Sequence, residues 1–306
     1  LKPCTSWFSP MFAAPNQRVN AITASLCVDG EELLYCHNDV NSKPGKQVLV
    51  LVHGAGGSHQ DWPLSWRGID ENVGNEGQLS SVEPHSGLAV SSLRELAVYA
   101  IDLPGHGQSK GKSVPSIHAY GSKIAKFLQA LNLHNVCLAG HSMGVPVVLE
   151  ASLLSLERVT SLCLIAGAAR MPVIPELFEG LRKNTPQTVN AIARACWHER
   201  SSDHNWQVTK NRMLASGSNT LINDFLACDA VDLRGRLHEI NIPALVIASD
   251  EDRMVHIGEI KAMSDALPRS KMHVHSGCGH FLHVERSKET LVDLEIFFEG
   301  PIEAHD

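Results

Sequence analysis

Apolar and polar residues alternate with a period of two over 18–28 (RVNAITASLCV), and after an Asp29-Gly30 turn a second strand-like stretch, ELLYCHN (32–38), follows. Both stretches therefore predict strands. Pro44-Gly45 then turns the chain into QVLVLVHG, where Val48 to Val52 is apolar without a break. A strand of that kind is covered on both faces. LAVYAID (96–102), NVCLAG (135–140), SLCLIAGA (161–168) and ALVIAS (244–249) follow the same logic, and KMHVHS (271–276) closes the series. Between them the period changes. Ile117, Ile124, Phe127, Leu128 and Leu131 give helical spacing over 116–131, and further helices are expected at 143–156 and about 284–298. Strands alternating with helices predict an α/β chain, a mostly parallel sheet flanked by helices.

Two stretches break the rhythm. Residues 64–92 are rich in Gly, Ser, Asn and Glu and have no clear period; a loop of that length is usually functional or mobile. Residues 169–236 form a block of helical segments, with Pro172, Pro175 and Pro186 near segment starts. Lying between two strands, this block predicts a helical cap inserted into a core domain made of residues 1–168 and 237–306. Most of its apolar residues, among them Met171, Phe178, Trp197 and Phe225, are expected to pack the cap onto the core. A minority would line an apolar pocket.

The 306 residues carry a formal net charge of −7, and no segment concentrates Lys and Arg, which argues against nucleic acid as a partner. A chain this long buries a large core without needing disulfides or metal. Eight cysteines are scattered with no C-x-x-C, and Cys137 and Cys163 lie in buried-strand patterns. Free thiols in a reducing compartment are the simpler expectation. No apolar run suggests a membrane span, and the N-terminus has neither a basic nor an apolar leader region, so a cytoplasmic location is expected.

The candidate chemistry starts at Gly140-His141-Ser142-Met143-Gly144. This G-x-S-x-G string means little alone, but it joins a buried strand to a helix, the setting a nucleophile elbow requires. Ser142 is the candidate nucleophile. Strand 48–52 ends in the Gly-rich HGAGGS, and an oxyanion hole could be formed by the backbone N–H groups of Ala55 and Met143. No Gly-Lys-Ser/Thr follows, so a phosphate loop is disfavoured. A serine hydroxyl needs an imidazole to take its proton. Of 17 histidines, His280 stands in the loop beyond the last strand, after Gly277 and Gly279. His273 and His275 lie inside that strand, His283 enters the next helix, and His53 and His141 would brace their loops. The orienting acid should follow the preceding strand, where Asp250, Glu251 and Asp252 compete. Asp252 is favoured because it has room to turn toward His280, and Asp250 is the alternative. The acids not used would be solvated or cap the following helix.

With these pieces in place, HGAGGS, DLPGHGQS, GHSMG, SDEDRMV and GCGHFLHVE resemble, in order and approximate spacing, the α/β-hydrolase superfamily over nearly the whole chain. The resemblance implies an eight-stranded sheet with a helical cap and a triad at Ser142, Asp252 and His280. It also makes Asp102 and His106 structural. The chain departs from the family in Val145 and Ser249, where glycines are common, and in the long 64–92 insertion. The expected activity is hydrolysis of carboxylic esters of small, partly apolar substrates through an acyl-enzyme, with no cofactor or metal. Carbon–carbon bond hydrolases, thioesterases, hydroxynitrile lyases, perhydrolases and a non-enzymatic receptor share the same residues.

Overall fold

Side chains on successive residues of a strand face opposite ways, and this alternation divides the core in two. The computed structural model describes residues 21–38, 46–69, 93 and 96–300. Eight strands form one sheet: β1 (Ile22–Val28), β2 (Glu31–His37), β3 (Val48–Val52), β4 (Ala97–Ile101), β5 (Val136–His141), β6 (Val159–Ile165), β7 (Ala244–Ser249) and β8 (Ser270–His275). Their spatial order is β1-β2-β4-β3-β5-β6-β7-β8. The β1–β2 and β2–β4 pairs are antiparallel and the other five are parallel. The expected mostly parallel eight-stranded sheet is the one observed.

Val48, Val50 and Val52 point into one half of the core with Val136, Leu138, Leu162 and Leu164. Helices α1 (Ile117–Ala130) and α2 (Gly144–Leu154) cover that face, as does α7 (Ile257–Ala266), which joins β7 to β8. Leu49 and Leu51 point the other way, against Trp62, Trp66 and the last long helix, α9 (Ser287–Glu299). Ser116 starts α1 by accepting the Ala119 N–H on its hydroxyl, a cap that satisfies one of the first unpaired amides. Every residue of α2 from Gly144 to Ser152 is buried, as expected for a helix apolar all round.

Between β6 and β7 stand four helices, α3 (Pro175–Lys183), α4 (Thr185–Ala195), α5 (Asp203–Ser216) and α6 (Ser218–Ala230). They share a separate apolar cluster that includes Leu181, Val189, Trp197, Leu221 and, from the core, Phe281. The single helix expected near 284–298 is two: α8 (Leu282–Glu285) and α9, separated by Arg286 in a non-helical conformation (φ −123°, ψ 43°). His283 and Glu285 of the short α8 are both buried. The seven described cysteines are free, and all but Cys27 are buried. The Pro44-Gly45 turn and most of the 64–92 stretch lie outside the described residues.

Leu51 is fully enclosed on the central strand, whereas Val274 on edge strand β8 is 49% exposed. Leu51→Ala should cost about 2–5 kcal/mol and Val274→Ala no more than roughly 0.5 kcal/mol, measured by urea unfolding. Equal costs would contradict this account of the core.

Candidate active site

Four parallel strands, β3, β5, β7 and β8, deliver loops to one rim of the sheet. Ser142 follows β5 with φ +55°, a left-handed conformation that costs an L-residue about 1–2 kcal/mol. Its N–H donates to Ile165 O at 2.9 Å, and its carbonyl accepts from Val145 N at 2.9 Å. A Cβ at Gly140 would lie 2.3 Å from Gly144 O, and one at Gly144 would lie 2.4 Å from Val52 O. Neither position tolerates a side chain, so the two glycines are what permit so tight a turn. α2 begins two residues after the serine, which sets its hydroxyl near a positive helix end.

His280 is fixed by its backbone as well as its ring. Its N–H and that of Phe281 both donate to Cys196 O, at 2.8 and 3.3 Å. Its Nδ1 donates to Asp252 Oδ2 at 2.8 Å, with both side chains buried. Asp252 Oδ1 accepts the Met254 and Val255 amides at 2.7 and 3.1 Å. With the proton held on Nδ1, the Nε2 lone pair is left free to accept one. Ser142 and His280 line the same cavity. Among the described residues the Ser142 hydroxyl makes no hydrogen bond, a common state of catalytic contacts before substrate arrives.

The competing acids do something else. Asp250 Oδ2 accepts from Ser276 Oγ at 2.7 Å, and Glu251 Oε1 accepts from Gly277 N at 2.7 Å. Ser249 Oγ donates to Cys278 O at 2.6 Å. All three tie the end of β7 to the loop carrying His280. Of the two expectations for the spare acids, exposure to solvent holds for Asp250 and Glu251, and capping of the next helix does not: His256 caps α7, its Nδ1 accepting the Gly258 N–H. The acids are already engaged across the gap between β7 and β8.

Ala55 lies in the loop after β3, and Met143 directly follows the serine. Within the described residues neither amide donates to another protein group. Met143 is fully buried, and a buried free amide is uncommon enough to suggest a use. The loop is braced from below. His53 Nδ1 donates to Gly54 O at 2.7 Å, while its Nε2 accepts Leu103 N at 3.1 Å. One donor and one acceptor describe a neutral ring, and burial, aided by the nearby His106, holds its pKa down at about 4. His141 Nε2 donates to His280 O at 2.9 Å, and burial keeps that ring well below its ordinary pKa. His283 is held down at about 3, again by burial. Asp102 accepts the His59 N–H, His59 Nδ1 and Gln108 N–H, a loop-holding arrangement.

Two buried carboxylates went unnoticed in the sequence. Asp224 of α6 accepts Gly56 N–H at 2.8 Å, His106 Nε2 at 2.7 Å and Tyr120 OH at 2.9 Å. It thus reaches from the helical insertion down to the loop that carries Ala55. His106 also donates through Nδ1 to Pro104 O, so both its nitrogens serve as donors. Burial alone would depress its pKa, but the Asp224 charge outweighs that and raises it. Glu285 accepts Gly279 N–H at 2.5 Å, His198 N–H at 2.9 Å and the Ser201 hydroxyl. It joins the His280 loop to the start of α5. A signal for Asp224 did exist: with Leu221, Phe225 and Cys228 it falls on one apolar helix face, where a solitary acid needs a partner.

Two expectations follow. Unfolding releases His53 and His283 to ordinary pKa values near 6.5, so the unfolded chain binds more protons below that pH. Stability should fall as pH drops from about 6.5 toward 4, by roughly 3 kcal/mol for His53 alone. Urea midpoints across that range should show this slope, and His53→Gln should flatten it. Asp224→Ala should destabilise the fold by about 2–5 kcal/mol, because it leaves the His106 Nε2–H and the Tyr120 O–H buried without their acceptor, again measured by urea unfolding.

The comparisons with known proteins agree with this architecture. A sequence profile described as the Alpha/beta hydrolase family matches residues 49–294. The chain is 27% identical to a 2-hydroxy-6-oxononadienedioate/2-hydroxy-6-oxononatrienedioate hydrolase of Paraburkholderia phymatum, over 92% of this chain and 96% of that protein. It is also 27% identical to a pimeloyl-[acyl-carrier protein] methyl ester esterase of Nitrosomonas europaea, over 64% of this chain and 84% of that one. An esterase structure from Exiguobacterium antarcticum superposes with a TM-score of 0.76 at 17% identity, covering 91% of this chain and 100% of that one. With the family profile spanning most of its length, the chain belongs to the alpha/beta hydrolase family of enzymes.

Proposed function

We propose that this hydrolase cleaves carboxylic esters through an acyl-enzyme on Ser142. The observation that carries the proposal is the buried 2.8 Å contact between His280 Nδ1 and Asp252 Oδ2, in a site where His280 and Ser142 face one cavity. His280 Nε2 takes the Ser142 proton as Oγ attacks the ester carbonyl. The oxygen of the tetrahedral intermediate accepts from the Ala55 and Met143 amides. Collapse breaks the bond to the alcohol, which leaves with the proton from His280. Water then adds to the acyl-enzyme by the same route, freeing the acid and restoring Ser142. Asp252 holds the imidazole in the required tautomer and stabilises its charged form. Every step uses side chains and amides of this chain. Residues 169–236 act as a cap in this reading, supported by the contact of Asp224 with the oxyanion-side loop and by the apolar residues of α3 and α4 around the serine.

Carbon–carbon bond hydrolysis is the second reading, favoured by the long match to the Paraburkholderia hydrolase. The methyl ester esterase of Nitrosomonas favours the first. A panel of chromogenic esters run beside a 2-hydroxy-6-oxo dienoic acid separates them by which class turns over.

On the preferred ester, Ser142→Ala should lower kcat by roughly 10⁶-fold and Asp252→Asn by about 10⁴-fold. Asp250→Asn, by contrast, should leave kcat within about tenfold. Unchanged turnover in Ser142→Ala would remove the serine from the mechanism.

A further inference from the structure

Two cavities of very different size meet at Ser142. The smaller has about 40 Å³ of free space and is bounded by Gly54–Gly57, by Thr209, Arg212 and Met213 of α5, and by His280. The larger has about 640 Å³ and runs beneath α3 and α4 between Met171, Leu177, Ile192, Phe225 and Met254. Ala55, Ser142, Ile192, Phe225 and Met254 border both, whereas His280 borders the smaller and not the larger. A water-sized group needs roughly 10–15 Å³ of such space. The small cavity therefore holds about three heavy atoms, while the large one falls in the range of roughly 300–1,000 Å³ that accepts whole small molecules.

An ester has two arms, and chemistry decides which arm goes where. The leaving oxygen must receive its proton from His280, so the alcohol arm has to lie on the His280 side of the carbonyl carbon. That side opens on the small cavity. The acyl arm is left with the large one, whose walls are mainly apolar. The charged residues at its border, Arg170, Arg253, Glu176 and Glu259, come in both signs and set up no net demand for a charged acid. Arg253 is in addition engaged with the Trp197 and Arg194 carbonyls. Resting on the serine-esterase reading above, we propose that the substrates are esters of a bulky apolar carboxylic acid with a short alcohol. The alcohol arm has about one to three heavy atoms.

The isomers methyl nonanoate and octyl acetate test this directly, since they share one molecular formula and differ only in which arm is long. Methyl nonanoate should have the higher kcat/KM by at least about tenfold, the effect of a single misfitted methylene or more. Two variants report on the cavities separately. Met213→Ala should narrow the preference for methyl over butyl nonanoate, and Ala195→Phe, which intrudes on the large cavity, should lower the ratio of methyl nonanoate to methyl propanoate hydrolysis. Octyl acetate hydrolysed as fast as methyl nonanoate, or faster, overturns the assignment of arms and leaves the esterase reading standing. Failure to hydrolyse any ester overturns that reading, and this assignment with it.

Discussion

Ser142 is held at a backbone angle that its own side chain disfavours, and much of the surrounding structure is what keeps it there. The amide and carbonyl of Ser142 are both bonded, to β6 and to α2. The glycines on either side let backbone from β3 and α2 approach within distances no side chain would allow. Strain of this order persists only where the neighbours over-determine it. Here the neighbours are the central strands, which are also the best-buried part of the protein. The best-buried region thus carries a residue in the left-handed conformation.

Around that point the sheet supplies position and the loops supply chemistry. Ser249, Asp250 and Glu251 fasten the end of β7 to the His280 loop, so Asp252 and His280 meet across a gap already bridged three times. The imidazoles beneath the site divide by partner. His53 has one donor and one acceptor around it and its pKa is held down; His106 has two acceptors, one of them the Asp224 carboxylate, and its pKa is raised. Burial acts on both, and the direct contact of His106 with the Asp224 carboxylate, which His53 lacks, decides the direction.

Much of this was legible in the sequence because strand and helix periods are local. All eight strands lie within a few residues of the positions their apolar patterns suggest, and the G-x-S-x-G turn sits between β5 and α2 as expected. The ends of elements were less visible: beside the interruption at Arg286, Glu285 finds partners in the helical insertion, a contact between distant segments. The choice between Asp250 and Asp252 was open for the same reason. Both stand beyond β7, and only the three-dimensional course of the β8 loop brings Ser276 to one and His280 to the other. Asp224 was missed because its three partners, Gly56, His106 and Tyr120, lie more than 100 positions away.

The position of Asp224 bears on how such a protein can diversify. A helical insertion between two strands looks like an exchangeable module, free to be swapped so that one catalytic base serves new substrates. Here the module supplies the acceptor that steadies a loop of the base itself. A graft that brought its own helices but no acid at this place would leave the His106 Nε2–H and the Tyr120 O–H without an acceptor inside the core. Such a graft would have to keep the turn of α6 that carries Asp224, while the walls formed by α3 and α4 make, among the described residues, no comparable bond to the loop after β3.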